Sequence, residues 1–144
     1  MEFDGRMSVG NAGGALGLRA GVGFLGPTRL EARYLRASVD AAGESASMTE
    51  IAGQLRLTVP VPVVQPYGFV GLARRSTDVS SGMTRTSDDA WMLPYGAGID
   101  IPLLPFFVLA PELTWHRRLS DEPLVPVLAG GDSWNLSLVV RLDL

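Results

Sequence analysis

Three side chains of this sequence have the types that serine hydrolases use. Glu112 and His116 lie four residues apart, and Ser137 follows them. A serine becomes a nucleophile when a histidine accepts its proton and a carboxylate orients that histidine. However, His116 alternates in step with Glu112 and Arg118 along an extended stretch, so it shares its face with other charged groups. We therefore interpret His116 as a member of a hydrogen-bonded polar network and predict no catalytic residue.

Two pairs of adjacent acids could bind a divalent cation through carboxylate oxygens, the ligands that calcium and magnesium prefer. These pairs are Asp88-Asp89 and Asp121-Glu122. Adjacent acids in polar segments are more often simply solvated. The chain also has no cysteine and a single histidine, which excludes thiolate sites and most zinc clusters. We predict no metal and no cofactor.

Polar and apolar residues alternate along most of the chain, a pattern typical of β-strands. The stretch 134–144 is the clearest, because Leu136 and Leu138 alternate with Asn135 and Ser137. The 17 glycines and 10 prolines interrupt the chain too often for long helices. We identify eight such stretches, each of about ten residues, which is the length that a tilted strand needs to cross a bilayer. The sequence therefore predicts an all-β chain of eight antiparallel strands.

The fifth predicted strand, at about 66–75, has apolar residues on both faces. Tyr67 and Phe69 lie on one face, and Val70 and Leu72 lie on the other. The sequence predicts this strand without deciding which of its faces points inward.

The links between the strands differ in length in a regular way. Short links at 25–28, 60–65 and 102–105 alternate with longer polar links at 40–48, 76–90 and 119–132, and the first link, 10–14, is a short exception. This alternation puts turns at one end of the strands and loops at the other, as in an up-and-down barrel with an even number of strands. We predict one transmembrane β-barrel domain over 1–144, with both termini beside the short turns.

The alternation alone does not say whether the apolar face points into a core or out into lipid. An eight-stranded barrel has room inside for little more than its own side chains, so long arginines need small neighbours. Five glycines share the polar face: Gly17, Gly21, Gly23, Gly96 and Gly98. Acids and arginines are also balanced on that face, which suits pairing in a closed interior. The predicted luminal charge network consists of Asp4, Arg6, Arg19, Glu31, Arg33, Glu50, Arg56, Asp100, Glu112, His116, Arg118, Arg141 and Asp143.

Aromatic residues are concentrated near the strand ends, where a membrane barrel meets the two boundaries between water and lipid. At the loop ends are Tyr34, Trp91, Trp115 and Trp134. At the turn ends are Phe3, Phe24, Phe106 and Phe107. We predict two aromatic girdles on the outer surface.

Composition excludes several classes of protein. The net charge of -3 and the pI near 5.0 give no basic footprint for nucleic acid. Hydrophobic residues at 47% are too frequent for a disordered chain. The first residues lack the pattern of a cleavable signal peptide, as expected for a mature chain.

Two soluble alternatives stay open. One is a lipocalin-like barrel that binds a small ligand in an apolar interior, and the other, less favoured, is a β-sandwich.

Several stretches resemble the small OmpA/OmpX-type outer-membrane barrels of Gram-negative bacteria. They are Gln65-Pro66-Tyr67-Gly68, Tyr95-Gly96-Ala97-Gly98-Ile99-Asp100, Glu112-Leu113-Thr114-Trp115 and the alternating final strand 134–144. The resemblance extends over essentially the whole chain and implies a location in the bacterial outer membrane. It does not select a function, because such barrels support adhesion, anchoring, lipid modification and narrow channels. Outer-membrane deacylases have a His-x-Ser arrangement facing lipid, whereas His116 is followed by two arginines.

The charges on the inward face allow two functional interpretations. Ions are costly to remove from water unless they are paired, so many charges in a narrow tube favour a cross-linked plug. The alternative is a narrow ion pore of low conductance, in which the pairs exchange partners. We predict a non-enzymatic outer-membrane barrel with a plugged, charge-paired lumen, acting as a structural or surface-interaction protein.

Membrane lipid is the first expected partner. Arg36 and Arg117 lie on the outward faces near the loop ends, where they could contact lipopolysaccharide phosphates or be ordinary boundary arginines. The loops 40–48, 76–90 and 119–132 are acidic and could meet a surface partner, and the last of them has the apolar stretch 123–128.

Overall fold

The alternating sequence forms eight strands in the computed structural model, which describes residues 2–10, 13–41, 44–105, 107–119 and 132–143. The strands are β1 (Glu2–Gly10), β2 (Gly13–Leu25), β3 (Thr28–Ala41), β4 (Glu44–Thr58), β5 (Gln65–Ser81), β6 (Thr84–Leu104), β7 (Phe107–Arg118) and β8 (Asp132–Asp143). Each strand pairs antiparallel with the next, and β1 also pairs with β8, which closes the sheet. The predicted all-β, eight-stranded, antiparallel up-and-down barrel is confirmed. The described part of the chain contains no helix long and apolar enough to span a membrane.

The outer surface of the barrel is apolar and the inner surface is polar. On β8, Leu136 and Leu138 are 55% and 43% exposed, whereas Arg19 on β2 and Glu112 on β7 are 2% and 1% exposed. Successive residues of a strand point to opposite faces of the sheet. The apolar residues therefore point out and the charged residues point in. A lipocalin-like soluble barrel requires the reverse arrangement, so this alternative is excluded.

Glycines form two of the tight turns. Gly26 in the β2–β3 turn and Gly82 in the β5–β6 turn have φ angles of +54° and +56°. Each is the first residue of a two-residue hairpin link. At this position a positive φ angle matches the twist of the flanking strands, and glycine adopts that angle without steric cost because it has no Cβ atom. The short link predicted at 25–28 is therefore a two-residue turn.

Two of the three predicted long loops consist mostly of paired strand. β3 and β4 remain paired up to Ala41 and Glu44, so most of the predicted loop 40–48 is paired strand. β5 and β6 remain paired up to Ser81 and Thr84, which lie in the middle of the predicted loop 76–90. We call the paired residues of this extension, 36–41 with 44–48 and 76–81 with 84–90, the protruding sheet. The third predicted loop, 119–132, falls largely on residues outside the described ranges.

The loop prediction was wrong for a compositional reason. The segments 76–81 and 84–89 contain mainly serine, threonine and charged residues, and most of their side chains are exposed or half-buried. Their strands therefore have no apolar face to produce an alternating pattern. Backbone pairing between adjacent strands maintains the sheet here, and this pairing leaves little trace in the sequence.

The fifth strand directs its aromatic residues inward. Tyr67 and Phe69 are buried, whereas Val70 and Leu72, which follow them, are exposed and face out. In the register of β5 and β6, Tyr67 lies opposite Gly98 and Phe69 lies opposite Gly96. A Cβ atom on either glycine would overlap the facing ring. Gly96 and Gly98 on the polar face thus make room for aromatic rings.

Candidate functional site in the barrel interior

The polar side chains that point into the barrel form two clusters, one nearer the turns and one nearer the loops. Inward positions on neighbouring strands lie close enough for their side chains to interact. The turn-side cluster consists of Arg19, Glu31, Gln54, Arg56, Tyr67, Asp100, Glu112 and Arg141. The loop-side cluster consists of Arg33, Glu50, Arg75 and His116.

An ion pair between Arg19 on β2 and Glu112 on β7 forms the centre of the turn-side cluster. Nη2 of Arg19 lies 3.0 Å from both carboxylate oxygens of Glu112. Glu112 also accepts hydrogen bonds from the Tyr67 hydroxyl at 2.9 Å and the Thr114 hydroxyl at 3.1 Å. Nη1 of Arg19 lies 3.4 Å from Oε2 of Glu31. Both charges of the pair are therefore compensated at short range, which burial requires.

Arg56 on β4 extends this cluster toward the turns. Its Nη2 donates to Oδ2 of Asp100, and the same oxygen accepts a hydrogen bond from Nη1 of Arg141 at 2.7 Å. The Arg56 guanidinium lies 3.5 Å from the centroid of the Tyr67 ring, in a cation–π contact. The turn-side cluster contains three arginines and three carboxylates, so its formal charges cancel.

Glu50 on β4 is the centre of the loop-side cluster. Its Oε1 accepts a hydrogen bond from Nη2 of Arg33 and lies 3.4 Å from Nε2 of His116. Its Oε2 accepts hydrogen bonds from Nε and Nη2 of Arg75 at 3.0 and 2.7 Å. Nη2 of Arg33 also lies 3.3 Å from Nε2 of His116. Because β3 and β7 are opposite each other in the ring of eight strands, this last contact reaches across the barrel.

Of the remaining members of the predicted network, only the Arg118 side chain is described, and it lies outside these two clusters. Arg118 pairs with Asp88 at 3.2 Å near the loop-side rim. Asp4 and Arg6 are on β1 and Asp143 is on β8, and their side chains lie outside the described part of the structure. In the strand register Asp4 is the partner of Arg19 on one side and of Arg141 on the other.

Among the polar residues of the described interior, the predicted network lacked Gln54, Tyr67, Arg75, Asp88, Thr114 and Ser137. Gln54 and Thr114 are uncharged, and the prediction counted charges only. Tyr67 and Arg75 are on the fifth strand, whose inward face the sequence did not decide. Asp88 fell in a predicted loop. Gln54 and Thr114 could have been found, because both alternate in step with charged residues of their strands.

The three residues with hydrolase-like side chains do not form a triad. His116 contacts Glu50 and Arg33, while the Ser137 hydroxyl donates a hydrogen bond to the backbone oxygen of Glu112 at 3.4 Å. In the register of β7 and β8, Ser137 lies opposite Glu112 rather than His116. Among the described residues, no group of three or more histidines and acids is arranged to hold a metal ion.

The predicted girdle residues lie on the outer surface where the structure describes them. The loop-end residues Tyr34, Trp91, Trp115 and Trp134 are all exposed, and Trp115 stacks on Tyr95 with ring centroids 6.0 Å apart. At the turn ends Phe24 is exposed and Phe107 is half-buried, while the Phe3 side chain and Phe106 lie outside the described residues. The outward arginines Arg36 and Arg117 are exposed.

The outer surface also has an ion pair that the sequence did not indicate. Arg74 on β5 and Asp89 on β6 lie 3.0 Å apart, and both side chains are more than half exposed. Asp89 lies beyond Trp91 on the loop side. The Ser76 hydroxyl donates a hydrogen bond to Asp89, and together with Arg74 it lowers the pKa of that carboxyl below its usual value.

The chain forms a closed antiparallel barrel with an apolar outer surface, aromatic residues near its rims and paired charges inside. These are the features of a transmembrane β-barrel of the outer membrane. The sequence supports this assignment independently. Residues 2–114 match the outer membrane protein beta-barrel domain, and the chain belongs to that family. It is therefore a protein of the bacterial outer membrane, as the sequence predicted, and the resemblance to the OmpA/OmpX-type barrels is confirmed.

Solved structures with the same fold cover nearly the whole chain. The Neisserial surface protein A is 16% identical with a TM-score of 0.73, and the match covers 99% of this chain and 94% of that one. The N-terminal barrel of Pseudomonas aeruginosa OprF is 17% identical with a TM-score of 0.70, covering 98% and 94%. The outer membrane enzyme PagL is 11% identical with a TM-score of 0.59 and full coverage of both chains. At these identities the likeness extends to the fold alone. No curated protein sequence matches the chain.

Proposed function

We propose that this protein is a non-enzymatic outer-membrane barrel whose lumen is closed by ion pairs, and that it serves as a structural or surface-interaction protein. The observation that carries the proposal is the pair of contacts across the barrel. Arg19 on β2 reaches Glu112 on β7, and Arg33 on β3 reaches His116 on β7. Side chains that meet across so narrow a tube leave little room for a continuous column of water.

The energetics of burial favour a permanently closed lumen. Each ion pair of the turn-side cluster is almost fully buried, so separating its partners would leave bare charges in a medium of low polarity. A cavity of about 450 Å³ at the turn end has Asp100 and Arg141 in its lining. Both residues belong to the turn-side cluster, so a water path from this end would have to cross that cluster.

The outer surface and the loop side support a role in surface interaction. Arg36 and Arg117 are exposed near the loop-end girdle, at a depth where guanidinium groups can bind the phosphates of lipopolysaccharide. The protruding sheet carries exposed acids such as Asp89, which suits a partner with basic groups. The loop 119–132 is a further proposed contact for such a partner.

The contacts of His116 support the non-enzymatic part of the proposal. A catalytic histidine must reach both the nucleophile and the substrate. His116 is buried, and within the described part of the chain its side chain contacts Glu50 and Arg33 rather than a hydroxyl group. The PagL fold likeness leaves this proposal unchanged, because one outer-membrane fold can support several functions.

We expect the purified barrel to give no steady ionic conductance in planar lipid bilayers, because the luminal pairs hold the tube closed. Single-channel recording tests this with the wild-type chain, Arg19→Gln, Glu112→Gln and, as a control on the outer surface, Arg36→Gln. A steady wild-type conductance that changes in the two luminal variants and stays the same in the control would contradict the proposal and favour the narrow pore.

A further inference from the structure

The turns at one end of the barrel form an exposed apolar surface. We call this surface the turn-end collar, and it consists of residues 25–28, 59–64 and 102–105. Except for Thr28, the collar contains leucine, valine, proline and glycine, and it has no charged residue. Apart from the half-buried Thr28, all of its residues are exposed. The outer surface at the loop end, in contrast, has charged residues such as Arg36 and Asp89. An exposed apolar patch of this kind marks a contact with lipid or with another molecule.

The backbone of the collar has few N–H groups that need water. Proline has no N–H group. The collar contains Pro27, Pro60, Pro62, Pro102 and Pro105. The N–H of Val59 donates to the backbone oxygen of Pro66 at 2.8 Å. Because N–H groups without an acceptor are unfavourable in lipid, a backbone with few of them suits contact with lipid better than an ordinary polar turn does.

The length of β4 places the collar at the edge of the membrane. Tyr34 of the loop-end girdle pairs with Ile51 on β4, and Val59 is eight positions after Ile51. At a rise of about 3.3 Å per residue and a tilt of about 40°, these positions span roughly 20 Å across the membrane. The apolar band of an outer-membrane barrel is about 25 Å tall. Val59 therefore still lies within the band, and the link after it lies at the boundary of the band.

Val63 in the β4–β5 link has a strained backbone and an exposed side chain. Its φ angle is +83°, which is unfavourable for a residue that is branched at Cβ. The side chain is 84% exposed, so packing within the protein does not compensate for this strain. A medium that favours an exposed valine would compensate for it.

We propose that the turn-end collar anchors the barrel in the phospholipid leaflet on the periplasmic side. The short turns of outer-membrane barrels face the periplasm. The collar continues the lipid-facing surface, because Leu55, Leu57 and Val59 follow one another on the outward face of β4. The link 59–64 lies where the acyl chains meet the phospholipid headgroups. This contact is additional to the proposed contacts at the loop side, and it does not depend on closure of the lumen.

Spin labels measure the position of the collar directly. The chain has no cysteine, so Val63→Cys provides a single site for a nitroxide label. The labelled barrel is inserted in vesicles of phosphatidylethanolamine and phosphatidylglycerol, with a water-soluble nickel complex on both sides of the membrane. Paramagnetic resonance then gives the frequency of collisions between the label and the nickel complex. We expect several-fold fewer collisions at Val63 than at Met83.

Met83→Cys is the matched control, because Met83 is fully exposed in the two-residue link at the opposite end of the barrel. The same label at this position also controls for the affinity of the nitroxide for lipid. Leu138→Cys, on the lipid-facing surface of β8, gives the value for a site within the membrane. Equal collision frequencies at Val63 and Met83 would overturn the proposal and favour a soluble periplasmic partner for the collar.

A second label tests whether the whole collar is anchored. Leu103 lies on the neighbouring part of the collar and is 55% exposed. Leu103→Cys should show the same protection from the nickel complex as Val63→Cys. A label at Leu103 that collides with nickel as often as the label at Met83 would overturn the collar as a lipid-anchoring surface.

Discussion

Replacing Glu112 with alanine is expected to lower the free energy of unfolding by about 3–5 kcal/mol, the usual cost of breaking a buried ion pair by removing one partner. Arg19 would lose the carboxylate that its Nη2 contacts at 3.0 Å through both oxygens. The hydroxyls of Tyr67 and Thr114 would lose the acceptor that they share. The cost is large because the remaining charge lies deep inside the barrel.

Equilibrium unfolding in urea, in the presence of lipid vesicles, measures this effect. The matched control is Asp89→Ala, which removes the carboxylate of the exposed pair with Arg74. Exposed ion pairs contribute about 0–1 kcal/mol, so the control should change little. Similar losses in the two variants would mean that the Arg19–Glu112 pair does not behave as a buried one.

Replacing Leu138 with arginine is expected to cost about 2–4 kcal/mol, because the residue lies near the middle of β8 and its side chain faces lipid. A guanidinium at the centre of the bilayer must either lose its hydration or deform the membrane around it. The same unfolding measurement in vesicles gives the value.

The control for depth is Leu25→Arg. Leu25 is 69% exposed and is the last residue of β2, where the strand reaches the turn. Arginine near the membrane boundary costs about 0–1 kcal/mol. If Leu138→Arg lowered the free energy of unfolding as little as Leu25→Arg, this would contradict the assignment of Leu138 to the middle of the lipid-facing surface of β8.

The sequence was most informative where one face of a strand meets lipid. Leu136 and Leu138 alternate with Ser137 because lipid selects apolar side chains on one side and the crowded interior selects polar or small ones on the other. This constraint ends with the membrane. In the segments 76–81 and 84–89 most side chains are exposed or half-buried, so the strand through Ser81 has no alternating pattern to detect.

The fifth strand was ambiguous because apolar residues are acceptable inside the barrel when they cover a small residue. Tyr67 points inward because Gly98 lies opposite it on β6. That contact depends on the register between two strands, and the sequence of one strand does not determine the register.

Membership of the inward face was largely readable from the sequence, whereas the pairing within it was not. Arg33, Glu50 and His116 are on three different strands, and alternation alone assigns them all to the polar face. Which arginine meets which acid depends on the tilt and stagger of the closed sheet. The contact between Arg33 and His116 joins opposite strands, so it follows only from the three-dimensional arrangement.

Methyl NMR of the wild-type barrel in detergent micelles tests the central claim most directly, because methyl groups lie on both surfaces of the sheet. Cross-relaxation should connect the outward methyl groups of Ile51 and Leu138 to the acyl chains of the detergent. The inward methyl groups of Val108 and Val139 should contact neither acyl chains nor bulk water, as expected for a lumen filled by paired side chains. Water contacts at Val108 and Val139 would contradict the closed lumen, and acyl-chain contacts there would contradict the orientation of the barrel surfaces.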